Sequence, residues 1–304
     1  MLKSNPPIPP RQTQRFLREL LEARGLRPNG KLGQCFLVDL NLLDLIVREA
    51  ELSPLDLVLE VGTGTGSLTM KLGQAAGAVL GVELDAGLFS LAQDFTQHLP
   101  NVKLLHADIL QSKNHINPVV LQLLGDGQQR GGFARLKLIA NLPYVVATPV
   151  IANLLLTDLP LERMVVTVQW ELAERLGAKP STPDYGALAV FVQSVAEVTL
   201  LRKLPASAFW PKPKVESGIV KIVPSAVKRA NVGDVPAFRE FLHYLYLHRR
   251  KNLRGGLLAF LGERFDKPSL DEHLAQHGVD GQIRAEALSV AEHVRLFHSF
   301  RPPG

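Results

Sequence analysis

The chain has 304 residues, 46% of them hydrophobic and 21% charged, with a formal net charge of +5. That length suffices for a main domain plus a smaller one with a sizeable buried core, and the apolar fraction excludes a disordered or fibrous chain. A single cysteine excludes an intrachain disulfide and a cysteine-based zinc site, and no apolar run approaches the roughly 18 residues of a membrane span. The opening residues also lack the apolar core of a secretion signal, so a cytoplasmic protein acting away from membranes is expected.

In chain order, a Pro-rich leader precedes a helix expected over 12–24, with Phe16, Leu17, Leu20 and Leu21 on one face and Gly25 as its stop. A basic loop follows, then a second helix over about 40–51. From residue 55 strands and helices alternate, with strands expected at 55–61, 78–84, 102–107, 136–140 and 163–169. Such alternation implies an α/β fold with a mostly parallel sheet covered on both faces. Two further strands, 197–201 and 215–223, have no helix between them, which implies an antiparallel edge. Beyond 224–235 the pattern is all-helical, including 236–247, 252–261 and 289–300. The expected division is an N-terminal extension over 1–29, a sheet domain over 30–226 and a small helical domain over 227–304. The charge follows this division. Residues 1–33 carry net +5, 34–201 net −7, 202–254 net +9 and 255–304 net −2. Basic flanks around an acidic body suggest a localised nucleic-acid footprint.

The first expected strand runs through Glu60 into Gly62-Thr63-Gly64-Thr65-Gly66 and then a helix. Glycines at a strand-to-helix turn permit positive φ and close approach of a ligand to the backbone. A merely structural turn is the competing reading. The functional one gains from Glu83, 21 residues beyond Gly62 at the end of the next strand, where a carboxylate can accept hydrogen bonds from both ribose hydroxyls. The loop reads G-x-G-x-G after an acid, rather than a dinucleotide fingerprint, and so resembles the first motif of class I S-adenosylmethionine methyltransferases. Asp108, ending the third strand, then falls where those enzymes bond the adenine of the cofactor; a turn or helix-capping Asp is an equal alternative.

Asn141-Leu142-Pro143-Tyr144 follows the fourth strand at its carboxyl end, where open α/β sheets hold ligands. An adenine N6 amine is a poor nucleophile because its lone pair is delocalised into the ring. An Asn oxygen and a backbone carbonyl, each accepting an N6–H, push electron density onto that nitrogen. An aromatic ring stacks on the base and keeps the amine in line for a direct displacement.

Several separated blocks, with these two loops, make the chain resemble the ribosomal RNA adenine dimethyltransferases of the small subunit, from about Gly30 to the C-terminus. They are Lys31-Leu32-Gly33-Gln34-Cys35-Phe36-Leu37, Glu83-Leu84-Asp85, Tyr185-Gly186, Ala208-Phe209-Trp210-Pro211-Lys212-Pro213-Lys214-Val215-Glu216-Ser217, Arg249-Arg250-Lys251-Asn252-Leu253-Arg254 and Arg284-Ala285-Glu286. The resemblance implies a Rossmann-like class I methyltransferase sheet and transfer of two methyl groups from S-adenosylmethionine to N6 of adenines in an RNA hairpin. It implies cofactor contacts at Gln34, Cys35, Leu37, Gly62, Gly64, Gly66, Glu83, Asp108 and Asn141. Catalysis falls to Asn141, Leu142, Pro143 and Tyr144, with Phe209 stacking on the target base from the other side. Where this family usually has an Asn that contacts the cofactor, the chain has Cys35, a weaker hydrogen-bond partner.

The basic run of 249–254, with Lys31, is expected to bind RNA phosphates through Lys31, Arg249, Arg250, Lys251 and Arg254; a solvated helix face is the usual alternative for such a run. The nine histidines show no metal-ligand spacing, so no metal is expected. The expected partner is small-subunit ribosomal RNA or a partly assembled small subunit, bound by a monomer. A second reading, motivated by Cys35, is a catalytically weak homologue that acts as an RNA- or DNA-binding assembly or transcription factor.

Overall fold

A computed structural model describes residues 13–247 and 251–300. Helix α1 (Gln14–Ala23) begins where the Thr13 hydroxyl accepts the Phe16 amide, satisfying one of the orphan donors of a helix start. Its apolar face buries Leu17 and Leu21 in a cluster with Phe36, Leu88 and Leu91. A two-residue strand β1 (Phe36–Leu37) leads to α2 (Leu40–Ala50), capped by Asp39. The alternating series then runs β2 (Asp56–Val61), α3 (Ser67–Ala75), β3 (Ala78–Glu83), α4 (Ala86–Thr96) and β4 (Val102–His106). A small antiparallel ribbon, β5 (Leu110–Ser112) with β6 (His115–Ile116), precedes α5 (Pro118–Gly131). Asn117 caps α5, Pro118 opens it, and Gly132 ends it at φ 67°. The series continues with β7 (Arg135–Asn141), α6 (Ala147–Leu156) and β8 (Leu161–Gln169). After α7 (Trp170–Leu176) and α8 (Ala187–Val195) come β9 (Ala196–Leu204), β10 (Phe209–Trp210) and β11 (Ser217–Pro224). Among the described residues five α-helices follow: α9 (Ala226–Val232), α10 (Val235–Leu247), α11 (Leu253–Leu261), α12 (Lys267–Gln276) and α13 (Val290–Ser299).

Seven strands form the central sheet in the order β4-β3-β2-β7-β8-β11-β9. The β4–β3, β3–β2, β2–β7 and β7–β8 pairs are parallel, and β11 lies antiparallel to β8 from Ser217 opposite Gln169 to Ile222 opposite Met164. This is the α/β architecture that the alternation implied, with the antiparallel edge implied by the missing helix between the two late strands. The middle strands are buried on both faces, as expected where helices cover a parallel sheet, and β2 is buried along its whole length. β1 pairs with β10, Phe36 opposite Trp210 and Leu37 opposite Phe209.

The amino ends of β2 and β7 hold a buried ionic group. Lys137 donates to the Ala50 and Glu51 carbonyls at 3.1 and 2.7 Å and to Asp56 Oδ2 at 3.1 Å. Arg135 reaches Asp56 Oδ1 at 2.7 Å. Burial alone would raise the Asp56 carboxyl; the Ser53 amide and Lys137, both donating to it, hold it below its ordinary value instead.

By compactness the chain divides into two units. One holds residues 13–173 with Leu200–Ile222, the other Glu174–Thr199 with 223–300. The second unit is thus discontinuous in sequence: 174–199 group with the C-terminal helices rather than with the sheet residues before 227. The reason lies in α8, whose apolar face packs against α9, α10 and α13. Within this unit Phe238, Phe241 and Phe297 form an aromatic core. Tyr185 is wholly buried and donates to the Leu288 carbonyl at 3.0 Å. Wholly buried His293 lies between the Ser289 carbonyl at 2.9 Å and the Tyr246 hydroxyl at 3.2 Å, and burial lowers its pKa to about 4. No helix among the described residues is long and apolar enough to cross a membrane.

Candidate functional site

Gly62, Gly64 and Gly66 all have positive φ, 76°, 54° and 78°. A side chain at Gly62 would strike Pro143 Cγ at 2.8 Å, and one at Gly64 would press on the Phe36 ring at 3.2 Å. The glycine loop therefore lies directly against both the Asn141 loop and β1, an approach at positive φ that glycine makes at least cost. Together they wall an open cleft at the carboxyl ends of β2, β3 and β7, where open α/β sheets hold their ligands.

Glu83 ends β3 and is nearly buried. Its Oε2 accepts the Gly64 amide at 2.8 Å and its Oε1 the Asp85 amide at 3.0 Å, which aims the carboxylate along the cleft wall. Burial raises its pKa even against these donors. Asp85, besides capping α4, accepts Gln34 Nε2 at 3.3 Å, and Gln34 Oε1 in turn accepts the Asn29 amide at 2.7 Å. The segment before β1 is thus tied to the turn after β3. Behind the glycine loop Glu60 is fully buried, and burial, with the nearby charge of Glu83, pushes its pKa up to about 8. Asp108 is exposed at the cleft edge, where its Oδ1 caps the Leu110 amide at 2.9 Å. The described lining residues include two carboxylates, Glu83 and Asp108, and neither Lys nor Arg. That donor set suits a nucleoside without phosphates better than a dinucleotide, whose pyrophosphate it would repel.

Asn141 is the last residue of β7. Its Nδ2 donates to the Cys35 carbonyl at 2.9 Å, which leaves Oδ1 shielded from solvent and without a partner. An orphan acceptor of this kind costs free energy unless a ligand satisfies it. The loop behind it is fixed from two strands: the Leu142 amide donates to Thr167 O on β8 at 3.2 Å, and the Tyr144 hydroxyl meets Ser217 Oγ on β11 at 2.7 Å. Burial raises the Tyr144 pKa, so its hydroxyl stays neutral.

Of the residues singled out from the sequence, Gln34, Cys35, Gly62, Gly64, Glu83, Asp108, Asn141, Leu142, Pro143 and Tyr144 all line this cleft. Cys35 is half-buried there, and burial raises its thiol pKa. Three others do not line it. Leu37 and Phe209 face each other across the β1–β10 pair and are buried in the core with Leu42, Leu43 and Ile46. Gly66 supplies the αL start of α3 instead. Arg249 and Arg250 lie outside the described residues, and Lys31 is placed only by its backbone, in a turn over Gly30–Leu32. Lys251 is exposed in the second unit, whereas Arg254 pairs with Asp271 at 2.7 Å and its charge is already met. No group of three metal-ligating side chains occurs among the described residues. Asp85 and Ser217 were not among the expected site residues, yet both brace this cleft. The first is visible as a helix cap two residues after Glu83; the second is 73 residues from Tyr144 and no local pattern marks it.

The model of the ribosomal RNA adenine dimethylase family matches residues 25–301. The chain is 36% identical over 292 residues to a ribosomal RNA small subunit methyltransferase A of Pelotomaculum thermopropionicum, covering 95% of this chain and 96% of that one. It is 35% identical over 286 residues to the protein of the same name from Geobacillus kaustophilus, covering 94% and 95%. Its fold is similar to a dimethyladenosine transferase from Plasmodium falciparum, with a TM-score of 0.71, 24% identity and coverage of 86% of this chain and 96% of that one. The 23S rRNA methyltransferase ErmE is also similar in fold, with a TM-score of 0.61, 23% identity and coverage of 87% and 98%. With the matched region spanning both compact units, the chain belongs to the ribosomal RNA adenine dimethylase family.

Proposed function

We propose that the protein dimethylates N6 of adenines in a small-subunit ribosomal RNA hairpin with S-adenosylmethionine, and so takes part in assembly of that subunit. The observation that carries this reading is the orphan Oδ1 of Asn141, an amide whose Nδ2 donates to the Cys35 carbonyl, in the lining of a cleft that also contains Glu83. Membership of the family and the names of its relatives support the substrate class.

S-Adenosylmethionine, when bound, supplies a methyl group on a cationic sulfur that leaves as a neutral thioether. Glu83 would hold its ribose hydroxyls, since each carboxylate oxygen keeps a lone pair after accepting a backbone amide. Asp108, Gln34 and the glycine loop would complete the cradle. Asn141 Oδ1 accepts one N6–H of the target adenine and raises the electron density on that nitrogen as positive charge develops there, a stabilisation already in place before reaction. Tyr144 offers its ring face to the base while Ser217 and the Thr167 carbonyl keep the loop still. Asn141 thus would present the N6 lone pair to the methyl group as its bond to sulfur breaks, and the surplus proton on N6 would pass to water. Phe209 would reach the base only after leaving the core, so base stacking is assigned first to Tyr144.

The test is mass spectrometry of small-subunit RNA after incubation of a partly assembled, unmodified subunit with the protein and isotopically labelled cofactor. Labelled N6,N6-dimethyladenine in the RNA is expected. Binding of the subunit without transfer would replace this reading with that of a non-catalytic assembly factor.

A further inference from the structure

The segment between β10 and β11 is fixed at both ends to the walls of the cleft. At its start Trp210 pairs in register with Phe36, and their rings stack with centroids 6.2 Å apart at 29°. At its end buried Ser217 holds the Tyr144 hydroxyl at 2.7 Å. Phe36 and Tyr144 both line the cleft. Between these anchors the chain reads Pro211-Lys212-Pro213-Lys214-Val215-Glu216, in which two prolines restrict the backbone that carries the lysines.

The electrostatics of this segment are uncompensated. Lys212 and Lys214 are exposed, and neither is in an ion pair among the described residues. Glu216, the acid that could neutralise them, is engaged by Lys203 at 2.7 Å. Arg18 of α1 lies over the Trp210 ring at 5.9 Å and adds a cation at the same end. The cleft itself is lined by the carboxylates Glu83 and Asp108. A polyanion is therefore repelled from the cleft floor and attracted to its rim. An exposed lysine is ordinarily just solvated. A free pair on a doubly anchored, proline-stiffened segment beside the target-base loop is a different case.

We propose that residues 211–216 form a phosphate-binding rim, in which Lys212 and Lys214 contact the RNA backbone flanking the adenine presented to Asn141 and Tyr144. The proposal rests on the RNA-methylating reading above and adds to it a second basic surface, in the sheet unit rather than at 249–254. Ammonium groups bind phosphate oxygens without reading base identity, so this rim positions the strand, and recognition of the base stays with the cleft.

The test compares the wild type with the double variants Lys212→Ala/Lys214→Ala, Lys212→Glu/Lys214→Glu and Lys212→Arg/Lys214→Arg, using an unmodified small-subunit RNA. RNA affinity is measured across salt concentrations, with S-adenosylmethionine affinity as the check on the fold. Loss of two phosphate contacts should make the log–log salt dependence of the Ala pair shallower by about 1.4–1.8. Charge reversal should weaken RNA binding by about tenfold or more near 0.1 M salt, and the Arg pair should keep the wild-type slope. Cofactor affinity should be the same in all four proteins. An Ala pair with the full wild-type slope, in a preparation whose wild type transfers methyl groups, overturns the rim alone. A wild type that transfers none overturns the reading of the site and the rim with it.

Discussion

At the scale of single residues, the proposed chemistry rests on one atom whose hydrogen bonding is incomplete. Asn141 Oδ1 is without a partner because the Cys35 carbonyl orients the amide the other way. We expect Asn141→Ala to lower kcat by about 10²–10³, the effect of losing one preorganised polar contact, with RNA affinity retained. Single-turnover methylation beside an RNA titration checks this, and unchanged turnover would remove Asn141 from the mechanism. Lys137 is the opposite case, a buried cation whose three acceptors are all supplied. Lys137→Met should cost about 3–5 kcal/mol because Asp56 is left buried with one partner fewer. Lys137 enters β7 at the end opposite to Asn141, so activity per folded molecule should survive. Urea unfolding together with kcat on the folded fraction separates the two effects.

At the scale of elements, the strands of the alternating series were legible because each is a short apolar run bounded by turn residues; expected 78–84 and observed Ala78–Glu83 differ by one residue. The β1–β10 ribbon was not legible. Two residues are too few to show an alternation, and their partners lie more than 170 positions away. Phe209 was expected at the target base because the family resemblance implied it; its Pro-flanked aromatic surroundings by themselves suggest a core cluster, and it is with the core that it packs, opposite Leu37. α12 carries only Leu270 and Leu274 as buried residues, too sparse a stripe to detect, although Asp266 and Ser269 form a capping box that marks its start. The glycine loop of the site was legible for a different reason: a run of positive φ angles admits few residue types. The extra helix α1 acquires a role from packing. Leu17 shares a cluster with Phe36, and Phe36 lines the cleft. Leu17→Ala should cost about 2–5 kcal/mol and also weaken cofactor binding. Thermal melts and a cofactor titration test the pair of effects, and an unchanged cofactor affinity would confine α1 to a purely stabilising role.

At the scale of the whole molecule, the two units should respond to pH in opposite directions. Glu60 in the sheet unit holds a proton up to about pH 8 when folded and to its ordinary value of 4.5 when unfolded. Folding therefore takes up a proton between those values, and this unit loses stability as pH rises through them. His293 in the helical unit keeps a pKa of about 4 when folded against an ordinary 6.5. The unfolded chain binds the proton first, so that unit loses stability as pH falls from 6.5 to 4. Hydrogen exchange resolved by segment at pH 5 and pH 8 should show protection of β2 and β3 falling toward the higher pH, and that of α13 toward the lower. Glu60→Gln should flatten the first trend and stabilise the protein by roughly 2–4 kcal/mol at pH 8. A variant with the wild-type pH dependence would show that Glu60 is ionised in the fold.

The bond from Asn141 to the carbonyl of Cys35 has a consequence for how this site can change over generations. Every amino acid brings a main-chain carbonyl, so the acceptor that aims the reactive amide is written by any codon at position 35. A thiol in place of a carboxamide alters what the side chain offers a ligand while the aim of Asn141 is inherited intact. Position 35 can therefore change the lining of the cleft without passing through a sequence in which the amide has lost its hold.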